Sequence, residues 1–147
     1  MEINSFLGTG WSFPPAFTKV GNTALLSESI ADIEESIRII LGTIPGERIM
    51  QPDFGCDLKK LVFEKVDSIL ISELNHIIYH ALLNYEPRIN LIDVALLMQD
   101  DLRGMIHLQL NYTIIITNTR HNMVYPFYFL EGTNISTPNI LPYSEAT

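Results

Sequence analysis

The hydrophobic positions of this chain change period along its length. From Ser29 to Leu41, Ile30, Ile33, Ile37, Ile40 and Leu41 recur three and four residues apart, forming one stripe of a helix. Ser29 and Asp32 have the spacing of a capping box, Glu34 and Arg38 stand four apart with the acid first, and Gly42 is a natural stop. A helix is therefore predicted over residues 29–41. A second stripe, Leu70, Leu74, Ile77, Ile78, Ala81, Leu82 and Tyr85, predicts a helix over 68–84 capped by Asp67 or Ser68. Pro87 ends it, because the residue before a proline is pushed out of the helical region. A short helix is expected over 57–63 with Asp57 as its cap.

Beyond Pro87 the period becomes two. Ile89–Gln99 is rich in aliphatics and predicts a strand, and residues 100–104 a turn. Over Met105–Asn118, Ile106, Leu108, Leu110, Tyr112, Ile114 and Ile116 alternate with polar residues, which predicts a long antiparallel strand with one buried face. Asn118–Asn122 reads as a polar turn. Met123–Leu130 reads as a third strand, confined to the sheet edge by Pro126. Thr18–Leu26 predicts a short strand broken at Gly21-Asn22. The sum is an α+β domain, two main helices followed by a three-stranded antiparallel meander. One domain spans 1–147: a docking arm over 1–17, a core over 18–130 and an extended tail over 131–147. The arm cannot be a regular helix, since Gly8, Gly10, Pro14 and Pro15 interrupt it. Its Phe6, Leu7, Trp11 and Phe13 predict that it packs on something, either its own domain or a neighbouring subunit.

Composition narrows the function classes. A chain of 147 residues, 47% hydrophobic and 18% charged, is globular and large enough for its own core. A net charge of −8, with Lys59-Lys60 as the densest basic pair, argues against nucleic acid as a partner. Cys56 is the only cysteine, so no intrachain disulfide forms, which fits a reducing compartment. The N-terminus lacks the pattern of a secretory signal, and no apolar run approaches the roughly 18 residues of a membrane span. Synthesis in the cytoplasm is the expectation.

Between the helices lies residues 42–56, with three glycines and two prolines but also Ile44, Ile49, Met50 and Phe54. That much apolar surface predicts an ordered loop pinned by its own side chains, presenting Glu47 and Arg48. Glu86-Pro87-Arg88 repeats the same chemistry at the end of the second helix. In both, proline stiffens the segment and lowers the entropy lost on ordering, and arginine offers a planar fork for a carboxylate or for helix carbonyls. Two readings stay open: the corners grip a partner, or they tie loops together within the domain.

Catalytic patterns are weak. His76 and His80 lie four apart, but Ile77 follows His76 where a zinc protease carries glutamate, so no metal site is expected. Cys56 has no base beside it in sequence and reads as a packed thiol. There is no nucleophile elbow and no phosphate-binding glycine loop. Glu47, Asp53, Asp57 and Glu86 are the carboxylates placed for glycoside cleavage, which needs two flanking one bond. Glu47 and Glu86 each stand near an arginine, which suits an ion pair better than a proton donor. No cofactor is expected.

The blocks Gly42-Thr-Ile-Pro-Gly-Glu-Arg-Ile-Met-Gln-Pro-Asp-Phe-Gly55 and Glu86-Pro87-Arg88, with the opening Phe6-Leu-Gly-Thr-Gly-Trp-Ser-Phe-Pro-Pro15, resemble the baseplate wedge family of contractile injection machines. That family includes a small T-even phage wedge protein once labelled lysozyme-like and the TssE component of type VI secretion. The resemblance covers roughly residues 3–118. It implies a non-enzymatic structural subunit with a handshake fold like that of the sheath. Such a subunit contacts the wedge core and offers the first sheath ring a strand to pair with, near the spike and tube proteins, in six copies. By match, Glu86, Pro87 and Arg88 carry the wedge-contact motif, and Gly46, Glu47, Arg48, Pro52, Phe54 and Gly55 the second signature block. The sheath-pairing edge falls on the third strand, at Met123, Val124, Tyr125, Phe127, Tyr128 and Phe129. The competing expectation is a peptidoglycan-cleaving enzyme. The last 17 or so residues match nothing in the family.

Overall fold

The computed structural model describes residues 5–21, 23–59, 68–98 and 105–128. After a short 3-10 turn at Ser5–Leu7, strand β1 (Thr9–Trp11) pairs antiparallel with β2 (Leu26–Glu28). Helix α1 (Ser29–Gly42) follows, then α2 (Ser68–Tyr85), β3 (Ile89–Met98), β4 (Met105–Ile114) and β5 (Thr119–Tyr128). The last three form an antiparallel sheet in the order β3-β4-β5. The two helices and the meander are as expected, and the small β1–β2 sheet is an addition. The residue at the N-cap position of α1 is Glu28, which makes no side-chain cap hydrogen bond. The short helix expected over 57–63 lies largely outside the described residues, as do the 100–104 turn and the tail.

Both helical stripes are buried. Ile33, Ile37, Ile40 and Leu41 of α1 pack with Leu70, Leu74, Ile78, Ala81 and Leu82 of α2 in one cluster. Each aliphatic side chain taken fully from water contributes about 1.5–3 kcal/mol. The sheet closes this core with Leu108, Leu110, Tyr112 and Ile114, every second residue of β4. The Tyr112 hydroxyl is buried there with no hydrogen-bond partner among the described residues. Its ring stacks 6.0 Å from His121. Burial, then the nearby Glu34, push the phenol up to about 12.

In β3 the alternation breaks. Leu91 pairs with Tyr112 and Asp93 with Asn111, so Ile92 is an extra residue, a bulge. It moves Val94 and Leu96 onto the core face that Ile89 and Leu91 occupy, and leaves Ile92 and Asp93 exposed. Without it Asp93 would point into the core. The meander also turns earlier than expected. β4 ends at Ile114, and Ile115–Asn118 form the turn, with Asn118 at φ 51° and Ile116 exposed. The residues read as a polar turn therefore mostly belong to β5. An edge strand pairs through its backbone and can be polar where it meets solvent. Pro126 lies in this edge strand, opposite His107.

Candidate functional site

The site residues expected from the sequence fall in three regions: the Glu86-Pro87-Arg88 corner, the 42–56 loop, and the surfaces of the arm and of β5. The corner is built where α2 runs into β3. The Glu86 amide still donates to the Leu82 carbonyl (2.9 Å), Pro87 stops the helix, and the Ile89 amide donates back to Glu86 (3.4 Å). This turn sets Arg88 beside Glu86. Arg88 Nε and Nη2 donate to the two Glu86 oxygens at 2.6 and 2.8 Å, a bidentate fork. Nη1 donates to Asp32 Oδ2 (2.6 Å) and to the Leu7 carbonyl (3.0 Å). The guanidinium pKa is held above its ordinary value, chiefly by the Glu86 hydrogen bond. One side chain thus ties the end of α2 to the first turn of α1 and to the arm.

The arm fits because two of its residues lack side chains. Gly8 sits at φ 100° with its Cα face against Arg88, and a Cβ at Gly10 would collide with the Asp32 carboxylate. Leu7 drops into the core, and the Phe13 amide donates to Glu35 Oε2 (3.1 Å). Sequence reasoning missed the part played by Asp32, since it lies 56 residues from Arg88 and reads locally as a helix-start acid. Glu86 is 2% exposed, so in the folded chain it faces inward rather than outward. Of the three residues of the corner, Pro87 is the one fully at the surface.

The 42–56 loop is ordered through its own backbone. The Gly46 amide donates to Pro52 (2.6 Å) and the Cys56 amide to Thr43 (2.9 Å). Gly55, at φ 118°, lies so close to the Thr43 carbonyl that a Cβ would overlap it. Glu47 Oε2 accepts from the Ile44 amide (3.1 Å), and the Arg48 guanidinium stacks over Phe54 at 4.0 Å. Phe54 in turn packs on Tyr85, 4.8 Å between centroids, fastening the loop to the end of α2. Glu47 and Arg48 thus hold the loop, while its tip carries Ile49 and Met50, 94% and 92% exposed.

Leu7 apart, the large apolar residues of the described part of the arm point outward. Trp11 is 65% exposed, meets Phe17 edge-on at 6.2 Å and lies opposite Leu26, while Phe6 and Phe13 are also exposed. The arm therefore folds against its own domain through Leu7 and its backbone and leaves an aromatic face at the surface. In β5, Met123 is buried, Tyr125 and Phe127 are partly buried against the core, and Val124 is exposed. Tyr128 belongs to the strand by its backbone, and Phe129 lies outside the described residues. Among the described residues no strand lies beyond β5.

The other candidate chemical groups are held as follows. Both oxygens of Glu86 are held by Arg88 in a buried position. The Cys56 thiol is buried and pushed up to about 12, first by burial and then by Asp57. His76 and His80 touch edge-on at 4.3 Å on the exposed side of α2. No group of three or more metal-ligating side chains occurs among the described residues. No described helix is long and apolar enough to cross a membrane.

Comparison with known proteins gives this geometry its context. The chain is 31% identical over 90 residues to the baseplate wedge protein gp25 of Enterobacteria phage T4. The match spans 61% of each chain, under two thirds of that relative's length. A Geobacter sulfurreducens crystal structure described as a tail lysozyme is 41% identical, with a TM-score of 0.65 over 75% of this chain and 98% of that one. A chain in the baseplate of the anti-feeding prophage superposes with a TM-score of 0.69 at 27% identity, covering 75% of this chain and 87% of that one. Residues 27–119, which hold α1, the signature loop, the buried corner and most of the meander, match the family model for baseplate wedge protein gp25, and the chain belongs to that family.

Proposed function

We propose that this chain is a non-enzymatic baseplate subunit that joins the wedge core of a contractile injection particle to its first sheath ring. The observation that carries the reading is the open edge of β5, which has no neighbouring strand among the described residues. An unpaired edge gives affinity through main-chain hydrogen bonds and needs no particular side chain on the partner. A sheath segment adding there, along Met123–Phe129, gives the handshake arrangement and templates the ring. The wedge core docks on the opposite kind of surface, side chains held rigidly: Pro87 at the corner and the pinned 42–56 loop. Glu86 and Arg88 serve this contact by fixing the corner. Six copies around the spike and synthesis in the cytoplasm complete the proposal.

The test is photocrosslinking in assembled particles. A benzoylphenylalanine at position 124 should join this chain to the sheath subunit. A crosslink pattern that lacks the sheath subunit would reject the pairing. The lytic alternative has one observation in its favour, the description of the Geobacter sulfurreducens relative as a tail lysozyme. A turbidity assay on purified cell walls decides it. We expect no clearing, whereas clearing lost in Glu47→Gln or Glu86→Gln would establish the enzyme.

A further inference from the structure

Among the described residues the sheet has a second edge without a neighbouring strand, and it differs from the first. β3 has β4 on one side and, among the described residues, no strand on the other. Helix α2 flanks that side and leaves a groove of about 290 Å³, lined by His76 and Tyr79 from the helix and by Leu91, Ile92 and Asp93 from the strand. The volume is at the low end for a small-molecule site, so one or two side chains of a longer ligand fill it. The row of main-chain donors and acceptors along a strand edge is matched only by another extended backbone. β3 contains no proline, so unlike β5 every residue along it keeps its backbone amide, and the bulge at Ile92 divides these amides into two short runs.

The bulge decides what such a backbone should carry. By inserting one residue it exposes Ile92 and Asp93 side by side on the groove. Asp93 has no hydrogen-bond or ion-pair partner among the described residues. The groove therefore presents apolar surface from Tyr79, Leu91 and Ile92 together with one unneutralised carboxylate. We infer that the α2–β3 groove is a second strand-accepting site, and that its occupant is an extended basic segment of another protein. That segment sets apolar side chains against Tyr79 and Ile92 and a lysine or arginine against Asp93. The site is independent of pairing at β5, and it lets one subunit bridge two neighbours.

The probe is a synthetic decapeptide of alternating valine and threonine with one central lysine, added to the full-length chain, and its twin with glutamate in that place. Backbone amide shifts of residues 90–96 and of His76 are followed by NMR. We expect both to move with the lysine peptide, which binds about two- to fivefold tighter than the glutamate twin, the range an exposed ion pair supplies. Asp93→Lys should reverse that order. Shifts confined to β5, absence of shifts, or an order unchanged by Asp93→Lys would overturn the proposal. So would slow hydrogen exchange of alternate β3 amides in the free chain, which would mean that the chain's own remainder or a second copy already covers the edge. Loss of sheath crosslinking at position 124 would leave this result untouched, so the two readings fail separately.

Discussion

Replacing Arg88 with alanine removes four hydrogen bonds at once and leaves Glu86 charged in a site where it is 2% exposed. Removing one partner of a buried ion pair costs about 3–5 kcal/mol, most of it the penalty on the charge left behind. The Arg88 side chain is 25% exposed, so water reaches part of the pair and screens it. We therefore expect a loss of about 2–4 kcal/mol, set against the roughly 5–15 kcal/mol total of a typical domain. The variant stays folded but its arm loosens, because the Leu7 carbonyl and Asp32 lose their common donor. Urea unfolding followed by circular dichroism measures the first effect, and hydrogen exchange at residues 8–11 the second. In a cycle with Glu86→Ala the two losses should be non-additive by about 1–3 kcal/mol, since either substitution breaks the same fork. A cost for Arg88→Ala below about 0.5 kcal/mol, or additive losses, would refute the description of the corner as an internal clamp. The same numbers matter for assembly experiments, where a defect in an Arg88 variant has to be separated from a loosened arm.

Other positions give sharper contrasts. Gly55→Ala should cost more than Gly46→Ala by about 1–3 kcal/mol in the same unfolding assay, because both have positive φ but only Gly55 abuts the Thr43 carbonyl. Tyr112→Phe should be neutral or slightly stabilising, within about 1 kcal/mol, as it deletes a buried hydroxyl with no partner among the described residues. Cys56 links stability to alkaline pH. Its thiol is raised from 9.0 to about 12 in the folded chain, so the stability tied to its burial is complete below pH 9 and is lost as pH rises towards 12. Urea midpoints at pH 7, 9 and 10.5 should fall above 9, and Cys56→Val should flatten part of that fall.

The sequence carries those parts of the fold in which side chains repeat with a fixed period. The stripes of α1 and α2 and the alternation of β4 lie on single elements, and each faces one core. β3 hides its pattern because one inserted residue, Ile92, reverses the faces halfway along. The β4–β5 turn is displaced because Ile115 and Ile116 look like strand while Asn118 supplies the left-handed conformation that closes the turn. β5 is polar at its start because it is held by the backbone of β4, and hydropathy says nothing about that. At the candidate site, the loop's order follows from its own residues, prolines and Phe54 included. The inward turn of Glu86 and Arg88 does not. It depends on Asp32 and Leu7, on distant elements, and on Gly8 and Gly10, whose missing side chains make the space. Charged residues next to proline look outward-facing in sequence until the partner across the fold is known.

The claim that most needs testing is that this subunit works by offering backbone to the sheath. A cryo-electron microscopy reconstruction of the assembled baseplate, at a resolution that separates strands, tests it directly. The expected density is a sheath strand hydrogen-bonded along Met123–Phe127, extending the sheet beyond β5. Solvent along that edge, with the sheath held elsewhere on the subunit, would contradict it.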